Sequence, residues 1–291
     1  MAHMGAERRR VMADRTDNAG ASTRDLMLAD LSWPEVRDIC DRVEVVLLPI
    51  GSNEQHGPNL AVSMDIVGAT EFCRRASALA YPRLLVAPGP PWGVSFHHMN
   101  FPGTITLESD TFTQVLVEIV GSMREHGFRR FFIVNGHGGN TNAMGTACAR
   151  IHEALDVAFI GAASYFSFMD SDINERFGIT GITGHACEME VSAAMYLAPG
   201  IVKQGALAAG DMTDLTYGFR TQMRRYNVTV PFRFDEYTRN GCLGDAPGKA
   251  SIEYGTAMME SALRNFVQFT EEIVAISPIE VVEPQRERNG R

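Results

Sequence analysis

One recurring order restricts this chain more than any other feature: an apolar run, a loop rich in glycine or proline, then a stretch with helical spacing. The runs at 45–50, 83–87, 130–134 and 157–163 are short, aliphatic and partly β-branched, as strands buried on both faces are. Helical spacing follows over 66–79, 111–127 and 141–155. Asp110 is the expected cap of the second helix, and Phe112, Leu116, Val120 and Met123 form its apolar face. Ser32, Pro34 and Glu35 mark an earlier helix start, and two more helices are expected over 184–197 and 249–276. Strands alternating with helices predict a three-layer α/β/α fold with a mostly parallel central sheet.

At 291 residues, with no internal repeat and no clear linker, the chain reads as one domain over 25–278. Residues 1–24 read as a polar tail with a tag-like start, Met12 being a candidate natural start, and 279–291 as a second tail. A net charge of -9 argues against nucleic acid or an anionic membrane as partner. No apolar run approaches the ~20 residues that cross a bilayer. Cys40, Cys73, Cys148, Cys187 and Cys242 are scattered with no paired spacing, which fits a reducing cytoplasm.

The chemistry sits where the runs stop. The first gives way at Gly51 to Glu54, His56 and Asp65. In extended chain Glu54 and His56 point to the same side, and a bent loop would return Asp65 toward them. The third run ends in Asn135-Gly136-His137-Gly138-Gly139-Asn140. If both runs belong to one parallel sheet, both loops lie on one rim. Carboxylate and imidazole together suit Zn²⁺, Mn²⁺ or Fe²⁺. The glycines alone suggest a phosphate cradle, but no Lys-Ser/Thr follows them. Glu188 and Glu190 diverge by ~200° on a helix, so only one of them faces a shared site. His185 borders that site if the helix begins after it.

Four blocks in order, GSNEQHGPNLAVSMD, VSFHHMNFPGTITL, IVNGHGGN and GHACEMEVS, resemble the creatininase family of amidohydrolases, and GCLGDAPGKASIEYG is similar to its C-terminal loop. The resemblance implies a cytoplasmic, hexameric α/β enzyme with two divalent ions, zinc first, manganese or iron(II) as alternatives. Carried over, Glu54 and His137 hold one ion, His56 the other, and Asp65 bridges. In creatinine-hydrolysing members a glutamate follows the strand histidine, as in GHYEN; here Gly139 stands there, and Glu190 is the expected replacement. Val191, Cys187 and Asn59 also depart from the family pattern, pointing away from creatinine itself.

The mechanism that the two ions imply makes His185 the candidate for protonating the leaving nitrogen and also for holding the oxyanion, together with Glu190 at the ion. His98, Trp92 and Ser95 are the expected substrate-binding residues, with Phe96 and Phe101 as further walls. The implied reaction is hydrolysis of a C–N bond in a small cyclic amide or formamide by metal-activated hydroxide. Hydrolysis of a C–C or lactone bond in an oxidised cyclic sugar is the alternative, and a non-catalytic metal-binding scaffold the remote one.

Overall fold

The computed structural model describes residues 25–215 and 230–276. The tails expected at 1–24 and 279–291 lie outside them. After α1 (Trp33–Ile39) come β1 (Val45–Ile50), α2 (Met64–Leu79), β2 (Leu84–Val86), α3 (Ser109–Glu125), β3 (Arg130–Asn135), α4 (Thr141–Ala154) and β4 (Phe159–Ser164). Besides short helical turns, the described residues after β4 form α5 (Glu188–Leu197) and α6 (Ile252–Ala275). The four strands form one sheet in the order β2-β1-β3-β4, and every pairing is parallel.

Alternate side chains of the strands enter two separate cores, which makes the three layers. Val45, Leu47, Phe132 and Val134 pack with Phe72 and Ala76 of α2 and with Met258 and Phe266 of α6. Val46, Leu48, Ile50, Phe131 and Ile133 pack with Phe112 and Leu116 of α3 and with Ala147 and Ile151 of α4. Each buried Phe or Leu contributes ~1.5–3 kcal/mol, so the continuous apolar runs are what a sheet covered on both faces requires. Among the described residues no helix is long and apolar enough to cross a membrane.

Local chemistry sets the helix ends. Ser32 caps α1, its backbone N–H donating to Glu35 Oε2 at 2.8 Å. α3 starts two residues before the expected position, at Ser109 after Glu108; Asp110 lies in its first turn and faces Arg150 at 3.6 Å instead of capping. α6 starts at Ile252 because Ser251 Oγ accepts the Tyr254 N–H at 3.1 Å; Lys249 belongs to a separate turn, Ala246–Lys249. α5 starts at Glu188, after a stretch in which Gly184 (φ 140°) and Ala186 (φ 49°) exclude helix.

The register places the loops. Ile50 pairs with Asn135, so β1 and β3 end side by side, and Gly136 N–H donates to Ile50 O at 2.8 Å. The loops carrying Glu54 and His137 therefore leave the same rim.

Candidate functional site

Two glycines at that rim seat the start of α2. A Cβ on Gly51 would lie 2.3 Å from Ile66 N, and one on Gly136 would lie 2.2 Å from Asp65 O. The first turn of α2 thus rests directly on the ends of β1 and β3, which delivers Asp65 to the site. Asn140 ties the third side: its Oδ1 accepts the Val94 N–H at 2.9 Å and its Nδ2 donates to Gly51 O at 3.0 Å.

Around this seat the chain gathers Glu54, His56, Asp65, His137, His185 and Glu190. The Asp65 carboxylate faces two ways, with Oδ1 3.2 Å from His56 Nε2 and Oδ2 3.2 Å from His137 Nδ1. On one flank Glu54 Oε1 is 3.2 Å from His137 Nδ1 and 3.5 Å from His185 Nδ1. On the other flank Glu190 Oε2 is 3.7 Å from His56 Nε2. Glu190 is held by the N–H of the left-handed Ala186 at 2.5 Å. Non-glycine residues in that conformation cost ~1–3 kcal/mol and concentrate at functional sites.

Far nitrogens of two histidines are spoken for. His56 Nδ1 donates to Glu54 O at 3.1 Å, and His137 Nε2 donates to Val94 O at 3.0 Å, since carbonyls only accept. With either ring neutral, its near nitrogen points a lone pair at carboxylates. Glu54 Oε2, His56 Nε2 and Asp65 Oδ2 are all buried without a hydrogen-bond partner. Acceptors converging on acceptors in a buried pocket is an arrangement that a cation satisfies. Glu54, His56 and Asp65 form one group with metal-ligating spacing, and His56, His185 and Glu190 form another.

The electrostatics carry the same demand for positive charge. Burial opposes a charged His56, yet Asp65, Glu190 and Glu54 override it and lift its pKa to about 10. Burial likewise opposes a charged His137, and Glu54 and Asp65 raise it well above the ordinary value. Burial pushes Asp65 up, but His56 and His137 outweigh that and hold its pKa well below the usual range. Burial pushes Glu190 up to about 7. Burial and then the neighbouring imidazoles keep His185 far below its ordinary value and His98 at about 2, so both rings are neutral.

Beside this cluster opens a cavity of about 430 Å³, with Glu54, Asp65, His137, His185 and Glu190 in its floor. Val94, Phe96, Val230, Phe232 and Phe234 supply apolar wall.

The family model described as creatinine amidohydrolase (creatininase) matches residues 29–270. The chain belongs to the creatininase family. It is 29% identical over 237 residues to the mycofactocin precursor peptide peptidase of Mycobacterium tuberculosis, covering 77% of this chain and 85% of that one. It is 30% identical over 121 residues to the creatinine amidohydrolase of Pseudomonas putida, covering 40% and 46%. A solved structure described as creatininase Mn shares the fold, with a TM-score of 0.71 at 24% identity, over 86% of this chain and 98% of that one. The Pseudomonas putida relative is an amidohydrolase by name, and the Mycobacterium tuberculosis relative a peptidase.

Two expected substrate-binding residues stand outside the lining of this cavity. Trp92 is 45% exposed and is not among the residues lining the cavity. Ser95 is buried against His137, its Oγ 3.0 Å from Nε2 of that ring and 2.6 Å from Ser52 Oγ, and it does not line the cavity either. Phe96 and His98 do line the cavity; Phe101 does not.

Sequence reasoning missed three contributors. His97 forms a group with Glu54 and His137 at metal-ligating spacing. It stands over Gly139, where a Cβ would lie 2.8 Å from His97 Cε1 and 2.2 Å from Val94 O. An imidazole from the facing loop thus fills the space beside residue 139. Phe232 and Phe234 wall the cavity from a segment with no periodicity to flag it. Glu188 goes elsewhere: its Oε2 accepts the Asp245 N–H at 2.8 Å.

Proposed function

We propose that this chain is a metal-dependent hydrolase that cleaves the C–N bond of a small amide substrate, with Glu54, His56, Asp65, His137 and Glu190 holding two divalent ions. The carrying observation is Asp65, whose two oxygens face histidines on opposite sides of the cluster. That is the stance of a bridging carboxylate. The mixed imidazole and carboxylate set suits zinc first and manganese or iron(II) as well, and one solved creatininase is described with manganese. Bound there, such ions would make a nucleophile from water at neutral pH and polarise a carbonyl.

The chain's own residues supply the rest. His185 is neutral, its Nε2 donates to Gln55 O at 2.7 Å, and its Nδ1 lone pair faces the cluster. It is placed to take a proton at Nδ1 and pass it to the leaving nitrogen. The apolar wall excludes water and takes the uncharged body of the substrate. The names of the two relatives both specify hydrolysis at an amide-type bond, and this supports the same reaction class here.

Metal analysis of purified protein, with a panel of cyclic amides, formamides and short peptides, tests the reading. Two ions per chain are expected, with hydrolysis lost on chelation and restored by zinc or manganese. Chelation is also expected to lower Tm. Each ion at a thousand times its Kd stabilises by ~4 kcal/mol, or roughly 10 °C in a domain of this size. Folded protein that binds no metal, or hydrolysis that survives chelation, overturns it.

The two glutamates of α5 separate cleanly. Glu190→Gln is expected to cost ~10²- to 10³-fold in turnover and one bound ion. Glu188→Gln keeps an acceptor for Asp245 N–H, so it costs ~1 kcal/mol of stability and leaves metal content intact. Steady-state kinetics and metal analysis of both variants check this; the reverse order would exchange their roles.

A further inference from the structure

Gln55 lies between two ligands in sequence yet its side chain does not line the cavity. It is buried, and two backbone groups fix which way its amide points. Gly57 N–H, which can only donate, lies 2.8 Å from Oε1. Gly241 O, which can only accept, lies 3.2 Å from Nε2. The oxygen and nitrogen of the amide cannot be exchanged without losing both contacts. Gly241 has φ +79°, and a Cβ there would lie 2.1 Å from Gln55 Oε1, so glycine is required beside it.

With the amide fixed, both neighbouring rings are fixed. The second Nε2 hydrogen of Gln55 goes to His98 Nδ1 at 2.9 Å. His98 Nδ1 is then an acceptor, and the ring carries its proton on Nε2, 3.7 Å from Glu54 Oε2. No amide hydrogen remains for His185 Nε2, 3.1 Å away. That nitrogen instead donates to the Gln55 backbone carbonyl at 2.7 Å, which leaves a lone pair on Nδ1, 3.5 Å from Glu54 Oε1. Phe234 keeps the pair of rings in place, stacked on His98 with centroids 4.1 Å apart and edge-on to His185 at 4.7 Å.

We propose that Gln55 is a positioning residue that fixes the Nε2–H tautomer of His98 with its side chain and of His185 with its carbonyl, so that two oppositely turned rings present a donor and an acceptor to the cavity. This rests on the hydrolase reading above. His98 offers an N–H to the substrate carbonyl oxygen as negative charge develops there. His185 offers a lone pair to the proton in transit. One glutamine assigns the two tasks without touching the substrate.

The test uses the zinc-loaded full chain labelled with ¹⁵N-histidine, with His98 and His185 resonances assigned by their loss in His98→Asn and His185→Asn. Both rings are expected to be protonated at Nε2. Gln55→Glu has nearly the same shape but offers no N–H to His98. It is expected to move the His98 proton to Nδ1, leave His185 unchanged, and keep the metal content. Its kcat should fall ~10²- to 10³-fold, as when one oxyanion donor is removed, with KM nearly unchanged. A wild-type His98 protonated at Nδ1 overturns the proposal. So does a Gln55→Glu enzyme with unchanged tautomer and kcat, or one that loses metal together with turnover. If Gln55→Glu does not fold, the wild-type tautomers decide alone. A wild-type protein without metal or hydrolysis would instead sink the hydrolase reading, while the ring tautomers remain readable and decide the role of Gln55.

Discussion

Asp65→Asn is expected to leave a folded protein that hydrolyses its substrate at least ~10³-fold more slowly. Asp65 is the one side chain whose two oxygens face His56 and His137 at the same distance, 3.2 Å. Asparagine keeps its shape but gives up the charge, and offers an N–H where one carboxylate oxygen had faced a ring nitrogen. The lost charge is the one both halves of the cluster share. The second readout is thermal. The wild type should melt roughly 10 °C higher per ion when loaded than when chelated, and in Asp65→Asn that gap should largely close. The gap, rather than either Tm alone, is the quantity to compare. Loss of Asp65 also removes its attraction for His56 and His137, which shifts the chelated protein as well. An Asp65→Asn protein that keeps both the gap and the turnover would show that the two flanks do not share this carboxylate.

Much of this arrangement was legible in the chain because it sits next to regular structure. Val45–Ile50 announces a strand by composition, and the loop after a buried parallel strand must emerge on the rim. Glu54 and His137 were readable for that reason. Asp65 was readable because it stands at the start of a helix that has to turn back over the sheet. The choice of Glu190 over Glu188 as cluster neighbour needed only helical geometry and the family pattern, and Glu190 is the one near His56. Loops gave less. His97 and His98 are adjacent and chemically identical, yet one stands over Gly139 and the other is stacked on Phe234. A short turn at Phe96–His98 sorts them, and no periodicity encodes it. Trp92 and Ser95 stand outside the cavity lining for the same reason: an aperiodic loop does not state which side chains face inward. Gln55 was passed over because its contacts, His98, His185 and Gly241, lie 43 to 186 residues away.

The contrast between two glycines of one loop tests how the fold builds the site. Gly136→Ala is expected to destabilise by ~3 kcal/mol or more, the scale of severe overpacking. Its Cβ would lie 2.2 Å from Asp65 O and 2.9 Å from Asp65 C, and both are backbone atoms that no rotamer change can move. Relief requires the first turn of α2 to lift off the strand ends, and Asp65 lifts with it. Stability and metal affinity should therefore fall together. Gly138, two residues on, has nothing within 4 Å of the same position. Gly138→Ala is expected to stay within ~0.5 kcal/mol of wild type, or to gain a little from reduced unfolded-state freedom. Chemical denaturation of the two chelated variants measures the difference without reference to any substrate. Equal costs at the two positions would mean that α2 is free to shift, and that Asp65 is not held by the strand ends at all.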